Sequence, residues 1–304
     1  MRNANVQRLV VVCFGIAFLL PLNVAAQLPN FYVVNQDNNT IYRFNETTKP
    51  QTYFADSNLS DPAGVVLHDG YLYVANQIGG TIYKFNSSGE GTPFVTGLSY
   101  PGGLAIGNDG HLYVANQTGP SIYEYEFGAP GSGTEFAGVT DGLDNPIGLA
   151  FDGGGNLFVA NYGDNRILKF NPSGGVSVFA TGLSGPAGLA FDDNGYLYVA
   201  NQTAGTIDKF DPLGGRTQFA SMGVNSNPTG LAFDSNTNLY VANSGSNTIV
   251  KIDASGNWVV FADTHLSGPQ FLVVTELPLV PEPATGSLLT WGLATFFLRR
   301  RGRG

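Results

Sequence analysis

The chain has 304 residues and a formal net charge of −9, from 14 basic and 23 acidic side chains. This acidity disfavours nucleic acid as a partner, because a negative surface repels polyphosphates. The sequence contains one cysteine, Cys13, which excludes a fold held together by disulfide bonds.

The first 26 residues have the pattern of a secretory signal peptide. Arg2 and Arg8 precede an apolar core over residues 9–20, and Val24-Ala25-Ala26 follows. This order predicts export with cleavage after Ala26. An uncleaved membrane anchor is disfavoured, because the apolar core is well short of a bilayer span. Cys13 lies inside this core, so the mature chain would carry no thiol.

A repeat fills the chain between its two ends. Each copy contains a five-residue apolar run that closes on Asn, and successive copies of that Asn lie 40 to 45 residues apart. The six residues are Asn35, Asn76, Asn116, Asn161, Asn201 and Asn243. A period of this length indicates one structural unit copied in an array. Each copy has four short apolar stretches bounded by Gly, Asn, Asp or Pro, which predict four antiparallel strands.

The two ends of the array predict how it closes. One small sheet cannot cover both of its faces, whereas sheets stacked radially cover one another. Residues 31–54 supply a second, third and fourth strand without a first, and residues 269–274 supply a first strand with nothing after it. The sequence therefore predicts an all-β, six-bladed β-propeller over residues 27–276. It has four strands per blade, and the C-terminal strand completes the N-terminal blade. Small Gly residues would crowd the axis, and a recurring Phe would fill the rim.

The last segment, residues 277–304, departs from the repeat. Pro281-Glu282-Pro283 is followed by an apolar stretch over residues 284–298 and then by three arginines. This order resembles the PEP-CTERM sorting signal of certain Gram-negative bacteria. The resemblance implies a short transmembrane segment, transient insertion in the inner membrane, and cleavage near the motif by an exosortase-type transpeptidase. The protein would then reach the cell surface or the extracellular matrix from a membrane-anchored precursor.

The repeat itself resembles that of NHL-repeat propellers and of their relatives similar to SMP-30 and gluconolactonase. The pattern is clearest at Pro186–Asp192 and Leu197–Asn201, and the resemblance covers residues 31–276. It implies the propeller fold, whereas activities in these families range from binding proteins, RNA or small molecules to hydrolysing esters. The chain departs from the family in one way. Those repeats commonly end the second strand on Asp, and all six copies here end it on Asn.

The turns after the six asparagines are predicted to share one face of the propeller with the connections between blades. Amides and hydroxyls beside occasional tyrosines suit a carbohydrate or a protein ligand. The candidate ligand-binding residues are Tyr100, Asn116, Asn161, Tyr162, Asn201 and Asn243. The alternative, which the repetition favours, is that each Asn satisfies the backbone of its own loop.

Catalytic groups are harder to assign. Lactonase-type relatives hold a divalent metal with Glu, Asn and Asp, but no Glu precedes a first strand here. The weak candidates for a Ca²⁺ or Mg²⁺ site are Asp61 and Asp144. Streptogramin lyases, which have similar repeats, depend on a histidine base. His68, His111 and His265 fall in turns and connections, and the sequence shows no carboxylate positioned to orient any of them.

These patterns together favour an exported, surface-sorted propeller that acts as a binding or matrix module without a cofactor or chemistry of its own. The alternative is a metal-dependent lactonase-like hydrolase or a streptogramin-lyase-like enzyme that uses the axial funnel.

Overall fold

The computed structural model describes residues 30–45, 52–129 and 131–275. These residues form six antiparallel sheets of four strands each, which are the six blades of a β-propeller. The predicted signal peptide, the Pro281-Glu282-Pro283 motif and the stretch over residues 284–298 lie outside the described residues. Within the described residues, no helix is long and apolar enough to cross a membrane.

The strands follow the repeat in chain order. Blade 1 contains β1 (Asn30–Asn35), β2 (Thr40–Asn45), β3 (Thr52–Ala55) and β24 (Pro269–Thr275). Blade 2 contains β4 (Pro62–His68), β5 (Tyr71–Asn76), β6 (Thr81–Phe85) and β7 (Gly91–Thr96). Blade 3 contains β8 (Pro101–Ile106), β9 (Leu112–Asn116), β10 (Ser121–Tyr125) and β11 (Thr134–Ala137).

The other three blades keep the same plan. Blade 4 contains β12 (Pro146–Phe151), β13 (Leu157–Asn161), β14 (Arg166–Phe170) and β15 (Val176–Ala180). Blade 5 contains β16 (Pro186–Phe191), β17 (Leu197–Asn201), β18 (Thr206–Phe210) and β19 (Arg216–Ser221). Blade 6 contains β20 (Pro228–Phe233), β21 (Leu239–Asn243), β22 (Thr248–Ile252) and β23 (Trp258–Ala262). Two short 3-10 turns, Val139–Asp141 and Tyr162–Asp164, interrupt the all-β pattern of the described chain.

The hydrophobic core lies in the seams between blades. Each of the six seams contains one cluster of buried apolar residues drawn from both neighbouring blades. In the seam between blades 4 and 5, the predicted rim residue Phe179 packs edge-on against Phe158 at 5.0 Å and contacts Phe210 at 5.5 Å. Edge-to-face packing of this kind adds to the free energy gained by burying the rings. The expected position of the recurring Phe in the seams is therefore confirmed here.

Close backbone approach near the axis explains the recurring glycines. First strands of neighbouring blades contact one another around the whole ring. The third residue of each first strand lies against the next blade. In blades 2 to 6 this residue is Gly, and a Cβ atom there would collide with the backbone of the neighbouring first strand. The sixth position holds Phe271, whose side chain packs into the seam between blades 1 and 2. The closing strand thus replaces a close backbone contact by a side chain.

The predicted closure of the ring is confirmed. Strand β24 pairs antiparallel with β1, with Phe31 opposite Val274 and Val33 opposite Leu272. The backbone N–H of Gln36 also donates to the carbonyl of Gly268 at 3.0 Å. The last strand therefore supplies the first strand that blade 1 lacks, so that all six blades have four strands.

Replacing Gly188 by Ala should destabilise the ring. Its new Cβ would overlap the carbonyl oxygen of Thr229, which belongs to the backbone of the next blade and cannot rotate away. We expect the free energy of unfolding to fall by about 2 kcal/mol, as for other overpacked sites. Urea denaturation followed by circular dichroism measures this loss.

Gly153→Ala is the matched control, because no atom lies within 4 Å of a Cβ added there. Its denaturation midpoint should stay near that of the unmodified chain. Equal midpoints for the two variants would contradict the close approach of blades 5 and 6.

Candidate functional site

One face of the propeller carries the turns that follow the six asparagines and the connections between blades. Backbone hydrogen bonds join the two groups of loops, as from Gln77 N to Asp61 O at 3.0 Å and from Gln117 N to Tyr100 O at 3.2 Å. The predicted sharing of one face is thus confirmed. We call it the Asn face, and the face with the first-to-second-strand turns the opposite face.

The asparagines that name this face lie buried beneath its loops. All six are at most 3 % exposed. Asn76 is typical: its Oδ1 accepts from Ser60 N at 3.1 Å, and its Nδ2 donates to Asn58 O at 2.9 Å and to Thr81 Oγ1 at 3.2 Å. One amide therefore holds the incoming connection and the outgoing turn together. This is the backbone role that the repetition favoured.

The remaining candidate asparagines vary in their partners. Asn161 accepts from Asp144 N at 2.8 Å and donates to Asp164, and Asn201 donates to Asp208 Oδ2 at 2.6 Å. In contrast, Asn116 donates weakly to the Ser121 hydroxyl at 3.3 Å. The Oδ1 atoms of Asn116 and Asn243 have no hydrogen-bond partner. A ligand role for the candidate asparagines stays a prediction.

Tyr100 breaks the repeat at the residue before each first-strand proline. All six residues at this position have left-handed backbone, and five of them are Asp, Asn or Gly. Tyr100 has a φ of 57°, which is unfavourable for a bulky side chain, whereas Asn145 and Asn227 suit it. Strain of this kind concentrates at functional sites, so it makes Tyr100 a candidate.

The side chain of Tyr100 lies at the surface of the Asn face. It is 38 % exposed, and its hydroxyl donates to Asp61 Oδ2 at 3.2 Å. Partial burial, followed by the nearby Asp61 carboxylate, raises the pKa of Tyr100 above its ordinary value. The phenol therefore stays a neutral donor near neutral pH.

A groove runs beside Tyr100 on the Asn face of blades 2 and 3. Two adjoining depressions of about 350 and 490 Å³ form it, and both are lined by Leu98, Ser99 and Thr118. Tyr100 lines the larger depression, whereas Asn116, Tyr123 and Glu135 line the smaller one. We call it the blade 2–3 groove. Its size matches that of pockets that take small molecules or peptide segments.

Exposed apolar side chains flank the same groove. Ile78 lines the larger depression and is 73 % exposed, and Val139 lines the smaller one and is 66 % exposed. Of the described residues, Glu135 is the one charged side chain that lines either depression, and its carboxylate lies 3.4 Å from the Tyr123 hydroxyl. The groove therefore combines apolar contacts with neutral donors and one acceptor. The other candidate tyrosine, Tyr162, lies in the turn that follows Asn161 in blade 4 and does not line the groove.

The predicted metal candidates do not come together. Asp61 is bonded to Tyr100, and Asp144 is exposed in the connection before blade 4. At the axial end of the Asn face, Gln36 donates to Gln77 at 2.8 Å and accepts from Gln270 at 2.5 Å. These neutral amides do not form the set of converging oxygen ligands that Ca²⁺ needs.

The expectation that no carboxylate orients a histidine is wrong for His111. Its Nδ1 lies 2.5 Å from Glu124 Oε1 and 3.9 Å from Asp109 Oδ2, on the opposite face of blade 3. The hydrogen bond to Glu124 raises the pKa of His111, and the Asp109 charge adds to the effect. Among the described residues, these three form the one group of His, Cys, Asp and Glu side chains that could hold a metal ion.

The other two histidines have different surroundings. His68 also contacts a carboxylate, Asp69, at 3.4 Å, and its ring stacks on Phe127 at 3.7 Å. His265 is exposed in the connection to β24, with its ring centroid 5.6 Å from that of Tyr42. His68 thus lies on the opposite face, and His265 on the Asn face close to the third strand of blade 1.

Comparison with protein families adds a match over most of the chain. The model of the virginiamycin B lyase family matches residues 24–276. No curated protein sequence shows significant similarity to the chain.

Three solved structures with the same fold each share little sequence with the chain. A chain from a nidogen/laminin complex is similar with a TM-score of 0.71 and 17 % identity, over 81 % of this chain and 98 % of that one. A catalytically inactive histidine-to-alanine variant of virginiamycin B lyase from Staphylococcus aureus with quinupristin is similar with a TM-score of 0.60 and 17 % identity, over 84 % and 94 %. A streptogramin B lyase gives 0.62 and 15 %, over 82 % and 88 %.

The unequal bonding of the asparagines predicts unequal effects of their removal. Asn76→Ala would remove the hydrogen bonds that this buried amide makes to the partly buried Ser60 N–H and to the Asn58 carbonyl, which costs about 1–3 kcal/mol. Asn116→Ala removes one long hydrogen bond and an amide oxygen that has no partner, so its cost should stay below about 1 kcal/mol. Urea denaturation of the two variants side by side measures the difference. An equal or larger loss at Asn116 would show that loop bonding does not set the stability.

Proposed function

The chain belongs to the virginiamycin B lyase family, and we propose that it acts as an exported, non-catalytic binding module. Its ligand is an uncharged polypeptide segment that lies in the blade 2–3 groove. The observation that carries the proposal is Tyr100, a bulky residue kept in left-handed backbone at the mouth of this groove. Binding surfaces favour tyrosine, because its ring supplies contact area and its hydroxyl supplies a hydrogen bond.

The lining of the groove supports a peptide more than a sugar. Ile78 and Val139 offer exposed apolar surface on either side, which suits the side chains of an extended segment. Gly97 and Gly119 also line the groove, and no atom lies within 4 Å of a Cβ added at either, which leaves room for a ligand backbone. The likeness of fold to a chain from the nidogen/laminin complex also supports a protein ligand.

Catalysis on a streptogramin-like substrate is the second candidate, and family membership favours it. Such a reaction needs a base close to the bound ligand. The described histidine on the Asn face, His265, is exposed beside Tyr42 and does not line the blade 2–3 groove. A lactonase-like metal centre at the axis would need carboxylates where Gln36, Gln77 and Gln270 lie. Binding without turnover is therefore the better fit.

Export and sorting belong to the same proposal. Residues 1–26 would direct secretion with cleavage after Ala26, and Pro281-Glu282-Pro283 would direct an exosortase-type enzyme. The apolar run that forms each second strand supports a relationship of this propeller with NHL-repeat and SMP-30-like propellers. The module would act at the surface of a Gram-negative bacterium or in its extracellular matrix.

Selection from a random-peptide display library against the full chain tests the binding role. We expect uncharged, apolar-containing peptides to be enriched, and Tyr100→Asn to weaken their binding at least about tenfold, as at other tyrosine contacts. Tyr100→Asn introduces the residue that blades 4 and 6 carry at this position, so it should preserve or raise stability. Tyr53→Ala, which removes another exposed tyrosine in the outer strand of blade 1, is the control and should leave binding unchanged.

Three results would overturn the proposal. The first is equal peptide binding by the Tyr100→Asn variant and the unmodified chain, and the second is enrichment on a glycan array instead of the peptide library. The third is conversion of quinupristin by the full chain, detected by mass spectrometry, which would establish the lyase alternative.

A further inference from the structure

Blade 3 departs from a charge pattern that the other blades share on the opposite face. The third strands of blades 2, 4, 5 and 6 carry a lysine, and blade 1 carries an arginine at the same position. Each lysine lies directly across from the aromatic residue of the second strand, as Lys209 does from Tyr198. In blade 3 the residue across from Tyr113 is Glu124. The repeat has therefore replaced a cation by an anion at one position.

In blades 4, 5 and 6 the lysine lies close to a carboxylate in the neighbouring turn. Lys169, Lys209 and Lys251 each place Nζ 3.9 Å from the Asp of that turn, namely Asp152, Asp192 and Asp234. The lysines also lie over aromatic rings, as Lys209 does over Tyr196 at 4.1 Å. One positive charge and one negative charge thus meet in these blades, and the local charge balances.

The same place in blade 3 holds an excess of negative charge. Asp109 and Glu124 supply two carboxylates, and His111 supplies at most one positive charge. His111 occupies the turn position that is Asn156 in blade 4 and Asn238 in blade 6. Glu124 and His111 both depart from the repeat, and both are residue types that bind metal ions. Their side chains contact each other.

We propose that Asp109, His111 and Glu124 form a binding site for a divalent transition-metal ion of the Zn²⁺ class. One imidazole nitrogen with two carboxylate oxygens is a ligand set for Zn²⁺, Co²⁺ or Mn²⁺, whereas Ca²⁺ and Mg²⁺ take oxygen ligands. A divalent ion would also supply the positive charge that the missing lysine provides elsewhere. The site lies on the face opposite the blade 2–3 groove, so it is independent of the proposed peptide binding.

The geometry needs small movements to accept the ion. Ligands about 2 Å from a tetrahedral ion lie about 3.3 Å from one another. The His111 Nδ1 atom lies 2.5 Å from Glu124 Oε1 and 3.9 Å from Asp109 Oδ2, so each of these two distances must change by less than about 1 Å. All three ligand atoms lie within 4.8 Å of one another. The three side chains are between 26 and 43 % exposed, which leaves them room to move and gives an ion access from solvent.

Tyr113 holds one of the ligands in place. Its hydroxyl donates to Asp109 Oδ2 at 2.8 Å, and the other oxygen of Asp109 accepts from His111 N at 2.9 Å. Hydrogen bonds to a carboxylate ligand orient it toward the ion. Burial, followed by the bond to Asp109, raises the pKa of Tyr113, so its hydroxyl keeps its proton and remains a donor.

Titration of the metal-free full chain with ZnCl₂ by isothermal calorimetry tests the proposal. We expect one saturable site per chain and, on addition of Co²⁺ instead, the visible absorption of a low-symmetry cobalt complex. CaCl₂ under the same conditions should give no comparable binding. Glu124→Lys and His111→Asn should each weaken Zn²⁺ binding at least about tenfold, because each removes a ligand.

Both variants introduce the residue that other blades carry at the same position, so both should fold, which circular dichroism checks. His265→Asn, which removes a histidine outside the cluster, should bind Zn²⁺ as the unmodified chain does. The proposal is overturned if the unmodified chain shows no saturable Zn²⁺ binding, or if both cluster variants bind it as tightly as the unmodified chain.

Discussion

The structure depends on burying both faces of every four-stranded sheet against its two neighbours. One such sheet cannot bury enough apolar surface alone, and a row of sheets would still expose a face at each end. Closing the row into a ring removes those exposed faces, and the pairing of β24 with β1 is the contact that closes it. An open row of six sheets would have five seams, whereas the closed ring has six, each with its own buried cluster.

Closure also decides where the chain is free to vary. Near the axis, backbone contact between first strands admits Gly at five positions, and along the seams aromatic rings fill a widening gap. Some connections between blades also place a buried leucine in a seam, as at Leu143, Leu183 and Leu266. The six asparagines fix the loops of the Asn face from below. The positions that depart from the repeat are therefore better guides to function than those that follow it.

The sequence was enough to predict the blade number, the strand order and the closing strand, because each depends on period and alternation. It was also enough to favour a backbone role for Asn76 and its equivalents. The blade 2–3 groove could not be predicted, since it depends on how four loops, over residues 77–80, 97–100, 118–120 and 138–139, meet in space. The contact of His111 with Glu124 was missed because the two residues are 13 apart and their proximity depends on strand register. A signal was present, however, since Glu124 stands where four other blades have Lys.

Blade 3 departs from the repeat on both faces, at Tyr100 on the Asn face and at Glu124 and His111 on the opposite face. The departures differ in kind, and this difference indicates different roles. Tyr100 introduces backbone strain at the Asn face, and strain persists only where the surrounding structure enforces it. Glu124 and His111 introduce charge on the opposite face, where the lysine of the other blades would have satisfied the carboxylate. A strained aromatic residue beside a neutral groove suits contact with another molecule, whereas unbalanced charge suits an ion. One blade can therefore serve two ligands of different chemistry, because its strands separate the two faces by their full length.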